Sequence, residues 1–139
     1  MTELFVYGTL RDAEYQQALF GRTLAVAPAT LPDWAAVMAE NGYLTVVRAP
    51  GEHVAGDLIA LDDEALALAD AWEDVQYERL PLEVDDANGN RVTAFVYIRP
   101  TASRERAPAG TLAKHPREGV LAQIARCRDD YVRTKSERA

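Results

Sequence analysis

LFVYGTLRD, residues 4–12, is the stretch on which the reading of the chain turns. Four apolar residues, Leu4 to Tyr7, stop abruptly at Gly8 and Thr9, and the charged pair Arg11-Asp12 follows. Large apolar side chains on both faces suit a strand covered on both sides. A glycine after such a strand lets the backbone turn sharply and bring adjacent N–H groups to bear on an anion. A plain corner into a following helix would use the same letters, so YGTL (7–10) leaves both readings open.

Working outward, residues 12–21 suit a short helix, with Asp12 as its cap, Glu14 at the positive end of the dipole and Gly21 as its stop. Short strands are expected at 23–29, 35–39, 43–47 and 53–61, separated by LPDW and ENG. Pro28 suggests an edge or the end of a strand, and Gly56 a bulge or a close backbone approach. DDEALALADAWED (62–74) is the clearest helix: Asp62 or Asp63 can cap it, and Leu61, Ala65, Leu68 and Trp72 share one face. YERLPLEV (77–84) and RVTAFVYI (91–98) flank Asn88-Gly89, a strong hairpin signal. Residues 99–117, polar and holding three prolines, read as an exposed crossing loop. A final helix over 118–134 carries Val120, Leu121, Ile124, Cys127 and Tyr131 on one stripe, and the last few residues read as disordered. Several short strands with two or three helices give an α+β domain with a small, mostly antiparallel sheet, either open or closed as a barrel.

The 139 residues fit one domain, 1–139, that buries roughly two-thirds of its unfolded surface and needs no staples. The formal charge of −7 argues against a nucleic-acid or anionic-membrane partner, each of which needs a basic footprint. The single cysteine, Cys127, permits no intrachain disulfide and sits on an apolar helix stripe, as an inert buried thiol would. The first residues lack the features of a signal peptide, and no apolar run nears the roughly 20 residues of a bilayer span. A cytoplasmic protein is the expectation; the oligomeric state is left open. His53 and His115 are isolated, so no metal is expected. Nucleophile-elbow, Walker-type and G-x-G-x-x-G patterns are absent.

DAWEDVQYER (70–79) is the second stretch with chemical content. Glu73 lies one step round from Trp72, at the border of the apolar helix face. A carboxylate there is partly desolvated, which raises its pKa and suits it to proton transfer. A solvated glutamate near a helix end, or a partner for Arg79, is the plainer alternative. Tyr77 and Arg79 share one face of the next strand and line either a pocket or a surface patch. Tyr97 is open between a pocket position and core packing.

Taken together, LFVYGTLR, VAGDLIALDDEAL, DAWEDVQYERLPLEV and NGNRVTAFVYI, in this order and spacing, resemble the gamma-glutamylcyclotransferase-like superfamily over residues 3–98. That superfamily includes the gamma-glutamylamine cyclotransferases and the plant AIG2-like proteins. The resemblance implies a small β-barrel flanked by helices with a pocket at one end, a substrate-binding loop at Tyr7, Gly8, Thr9 and Leu10, and a catalytic acid/base at Glu73. It implies an acyl-transfer or lyase-type cyclisation that releases 5-oxoproline from a small γ-glutamyl substrate, with no metal or organic cofactor. Two departures stand out: Asp74 where the family often has glycine, and Gly42-Tyr43 where a proline is common. Two non-enzymatic readings accompany it, a small-ligand binding module that uses the same pocket and an accessory subunit docked through the terminal helix.

Overall fold

The computed structural model describes residues 1–138. Its strands are β1 (Thr2–Val6), β2 (Ala27–Met38), β3 (Leu44–Leu61), β4 (Glu78–Asp86) and β5 (Arg91–Ile98). They close into a barrel in the order β1-β3-β2-β4-β5. All neighbours pair antiparallel except β1 and β5, which meet in parallel at Leu4 and Phe95. The helices are α1 (Ala13–Phe20), α2 (Asp63–Glu73) and α3 (Arg117–Arg138).

β1 is apolar on both faces because it separates two cores. Phe5 and Tyr7 join Leu31, Val46, Val84 and Val96, one or more from every strand, inside the barrel. Leu4 and Val6 join Ile59 and Leu61 beneath the three helices, against Leu19, Leu68 and Ile124. Burying an apolar side chain of this size contributes about 1.5–3 kcal/mol, so a two-faced strand ties both layers together. The helix signals act as read. The Asp12 carboxylate accepts from the amides of Glu14 and Tyr15, Gly21 ends α1 with a left-handed φ of 75°, and Asp62 caps α2 through the Ala65 amide. Asn88-Gly89 turns the β4–β5 hairpin, with Gly89 at a φ of 79°.

The strand divisions differ from those expected. Segments 23–29 and 35–39 belong to one strand that starts at Ala27, and 43–47 and 53–61 are one strand of 18 residues. Pro32 and Asp33 do not end β2. They form a bulge at which the register shifts, with Asp33 at a φ of 69° and its carboxylate accepting from the Gly51 amide. A bulge tolerates a proline that a regular ladder would reject. Loop 99–117 is exposed, with no fully buried residue, and is tethered to the barrel: the Ala107 amide donates to the Ala36 carbonyl, and Ala113 bridges to Tyr43. α3 continues past 134 to Arg138, so the final residues are helical as far as the described part reaches; residue 139 lies outside it. No helix of the described residues is long and apolar enough to cross a membrane.

Gly56 marks a close approach. A Cβ there would stand 2.4 Å from the Val6 carbonyl oxygen and 2.5 Å from Phe5 Cζ. Gly56→Ala is therefore expected to cost about 3 kcal/mol through forced separation of β1 and β3. Denaturant unfolding measures this; a loss below about 1 kcal/mol would show that the two strands part freely.

Candidate active site

The strand β1 delivers residues 7–10 to one end of the barrel. Val6 is its last paired residue, and Thr9–Arg11 then form a single 3-10 turn. Three side chains hold that turn. Gln16, fully buried, donates to the Leu10 carbonyl at 2.7 Å and accepts from the Leu24 amide. Arg11 reaches Asp57 at 2.9 Å. Trp72 Nε1 donates to Thr9 Oγ1 at 3.2 Å, which fastens the turn to α2. The leading N–H groups of such a turn have no intrahelical acceptor, so they remain available to a ligand.

The turn forms one wall of a cavity of about 360 Å³. Tyr7, Gly8, Thr9 and Leu10 lie on that wall, Glu73 and Tyr77 come from the end of α2 and the segment after it, and Tyr97 comes from β5. These seven sequence-derived positions are thus brought together. Arg79 is not among the lining residues. It grips Asp70 in a two-pronged ion pair at 3.0 and 3.1 Å and stacks over Phe95, 4.8 Å from the ring centre. Asp70 also accepts from the Tyr97 hydroxyl at 2.6 Å, so Arg79 stands one residue behind a cavity wall.

Glu73 is the last residue of α2 and keeps partial exposure along the cavity. Among the described residues its carboxylate has no hydrogen-bond partner. Burial, and then the negative charge of Asp70, raise it from its ordinary value to about 8. The second carboxylate acting on Glu73 is therefore Asp70, one turn back on the same helix, and not Asp74, which is exposed. Burial likewise raises the Tyr7, Tyr43 and Tyr97 phenols, and that of Tyr77 to about 12. The surrounding tyrosines thus stay protonated where Glu73 exchanges its proton. Tyr7 donates to the Tyr97 carbonyl, and Tyr77 to the Leu44 carbonyl.

Several lining residues carried no sequence signal. Tyr43 packs edge-on against Trp72 at 5.7 Å and hydrogen-bonds Gln123 of α3. His115 and Leu112 bring the crossing loop over the cavity, with His115 Nε2 at 3.0 Å from the Asn41 carbonyl. Gly42 is required beneath it: its φ is 83°, and a Cβ would meet His115 Nε2 at 2.6 Å. The Gly42-Tyr43 departure thus makes room for the loop. Only pairing distant segments reveals this, and composition does not.

A model of the family described as gamma-glutamyl cyclotransferase, AIG2-like, matches residues 4–116. AIG2-like protein D of Arabidopsis thaliana is 30% identical over 102 residues, 70% of this chain and 67% of that protein. The crystal structure of an AIG2-like protein from Mus musculus superposes with a TM-score of 0.61 at 26% identity, over 85% of this chain and 97% of that one. A gamma-glutamyl cyclotransferase structure superposes with a TM-score of 0.66 over 90% of this chain and 78% of that one; at 17% identity this likeness is one of fold.

Two outcomes follow from the geometry around Glu73. Asp70→Asn keeps the shape but removes the charge, so the Glu73 carboxyl, followed by carbon-13 NMR, is expected to titrate below its value of about 8. An unmoved titration would leave burial as the whole cause. Asp74 has a φ of 58° and a ψ of −166°, a conformation that essentially only glycine adopts freely. Asp74→Gly is expected to stabilise the fold by about 1 kcal/mol. An unchanged or lowered unfolding midpoint would show that the aspartate side chain repays the strain.

Proposed function

The chain belongs to the gamma-glutamyl cyclotransferase, AIG2-like family, and we propose that it is a cyclotransferase that releases 5-oxoproline from a γ-glutamyl amine or γ-glutamyl peptide. The observation that carries this reading is the raised Glu73 carboxyl facing the same cavity as the amides of the 7–10 turn.

A γ-glutamyl compound holds its α-amine at the distance that closes a five-membered lactam on its own γ-carbonyl carbon. The bond that forms joins the α-nitrogen to that carbon; the bond that breaks joins the carbon to the leaving nitrogen. The α-ammonium must first lose a proton, and the leaving nitrogen must gain one. Glu73, with an affinity for protons near that of neutral water chemistry, accepts the first and donates it to the second, so it ends as it began. Tyr7 to Leu10 fold the substrate back on itself, with the loop amides serving its α-carboxylate or the developing oxyanion. Attack is intramolecular, so the main contribution of the cavity is orientation. No metal or organic cofactor takes part in this scheme.

The test is 5-oxoproline release across γ-glutamyl amines, γ-glutamyl amino acids and glutathione. Glu73→Gln is expected to lower turnover roughly a hundredfold or more. For the wild type, kcat/KM should rise with pH through about 8, as Glu73 in the free enzyme gives up its proton. Unchanged turnover in Glu73→Gln would remove it from the mechanism. Saturable binding with no product from the wild type would make the protein a binding module.

A further inference from the structure

Gln76 and Gln123 line one side of the cavity. These two residues and Trp72 also border an open groove between the end of α2 and the outer face of α3. Trp72, Gln76 and Gln123 thus form a wall common to both spaces, with the two carboxamides on it. Both amides have their orientation set. Gln76 Oε1 accepts from Arg99 and Asn41, and Gln123 Oε1 accepts from the Tyr43 hydroxyl at 2.7 Å. Each thereby leaves its NH₂ group as the free donor.

Charge divides the two spaces. Among the described residues no arginine or lysine lines the inner cavity, where Glu73 is the ionisable carboxylate. The groove contains two arginines, Arg126 and Arg138, and Arg126 stands three residues after Gln123, so on the same helix face. Arg126 has no ion-pair or hydrogen-bond partner among the described residues. Of the groove's two carboxylates, Asp130 pairs with Arg133 at 3.1 Å, and Asp74 is exposed. A second carboxylate on a substrate would have no cation to meet in the inner cavity and would find one at Arg126.

We propose that this groove is the leaving-group subsite, and that Gln123 and Arg126 select substrates whose leaving portion carries a carboxylate, as γ-glutamyl amino acids and peptides do and simple γ-glutamyl amines do not. The inference rests on the cyclotransferase reading for the direction in which the substrate lies. The matched family region ends at residue 116, so both residues stand on a helix beyond it.

The experiment compares γ-glutamyl-alanine with its C-terminal carboxamide, which differ only in that charge. Binding is measured by calorimetry on the Glu73→Gln protein, with and without Arg126→Gln, and turnover is measured on the same pair with Glu73 intact. The Arg126→Gln change is expected to weaken the carboxylate ligand about fivefold to tenfold and the carboxamide less than twofold. In turnover the loss should fall on KM, with kcat unchanged. Equal weakening of both ligands, or of neither, would overturn the subsite, as would failure of both to bind. Selective weakening in binding without any wild-type turnover would uphold the subsite and overturn the reaction. Arg126 is exposed, so its replacement leaves folding intact.

Discussion

The rest of this molecule is arranged around a strand whose residues Leu4 to Val6 are buried on both faces. β1 can lie only where two apolar layers meet, and the barrel interior and the helix layer supply them. Because the strand is short, its exit falls at the rim of the barrel, where the backbone turns at Gly8. The turn is then pinned from three sides by Gln16, Arg11 and Trp72. Of these, the Trp72 bond is the one with chemical consequence, since the neighbouring residue on α2 is Glu73. That hydrogen bond therefore ties the turn to the helix that carries the carboxyl.

A carboxyl raised to about 8 is a cost to the fold at neutral pH. Its folded-state affinity for protons exceeds that of the unfolded chain, so the stability it permits is full below its ordinary value and is lost as pH rises through about 8. The structure carries this strain beside another, the left-handed Asp74 that follows it. The two unfavourable features thus fall at adjacent positions where α2 ends, one on the cavity wall and one just outside it. The network behind it is, by contrast, fully partnered: Asp70 receives Arg79 and Tyr97, and Arg79 lies over Phe95. That arrangement keeps a negative charge near Glu73 without leaving it unpaired.

The cavity's other wall is assembled from afar. Asn41, Leu112, His115 and Gln123 come from three separate segments, and only the crossing loop's pairing with β2 and with residues 42–43 gathers them. Their hydrogen bonds join these segments to one another, His115 to the Asn41 carbonyl and the Asn41 side-chain amide to Gln76 and Tyr77. The inner floor and the outer rim thus have separate origins, one in a barrel strand and one in a loop and a helix.

Local chemistry made much of this legible in the sequence. Asp12, Gly21 and Asp62 declare helix ends because capping needs only neighbouring residues, Asn88-Gly89 declares its hairpin for the same reason, and the two-faced apolarity of residues 4–7 announces a strand between layers. YGTL and Glu73 stood out because each placed an unusual residue at the border of an apolar element. The prolines misled: Pro32 reads locally as a break, yet a bulge opposite Gly51 absorbs it within one long strand. Arg79 shared a strand face with Tyr77, but pairing with Asp70 keeps it from lining the cavity, and an ion pair across elements leaves no mark in either segment. The folding of the chain decided which carboxylate perturbs Glu73, which residues roof the cavity and where it opens. Those outcomes depend on distances between residues far apart in sequence, which no periodicity or composition encodes.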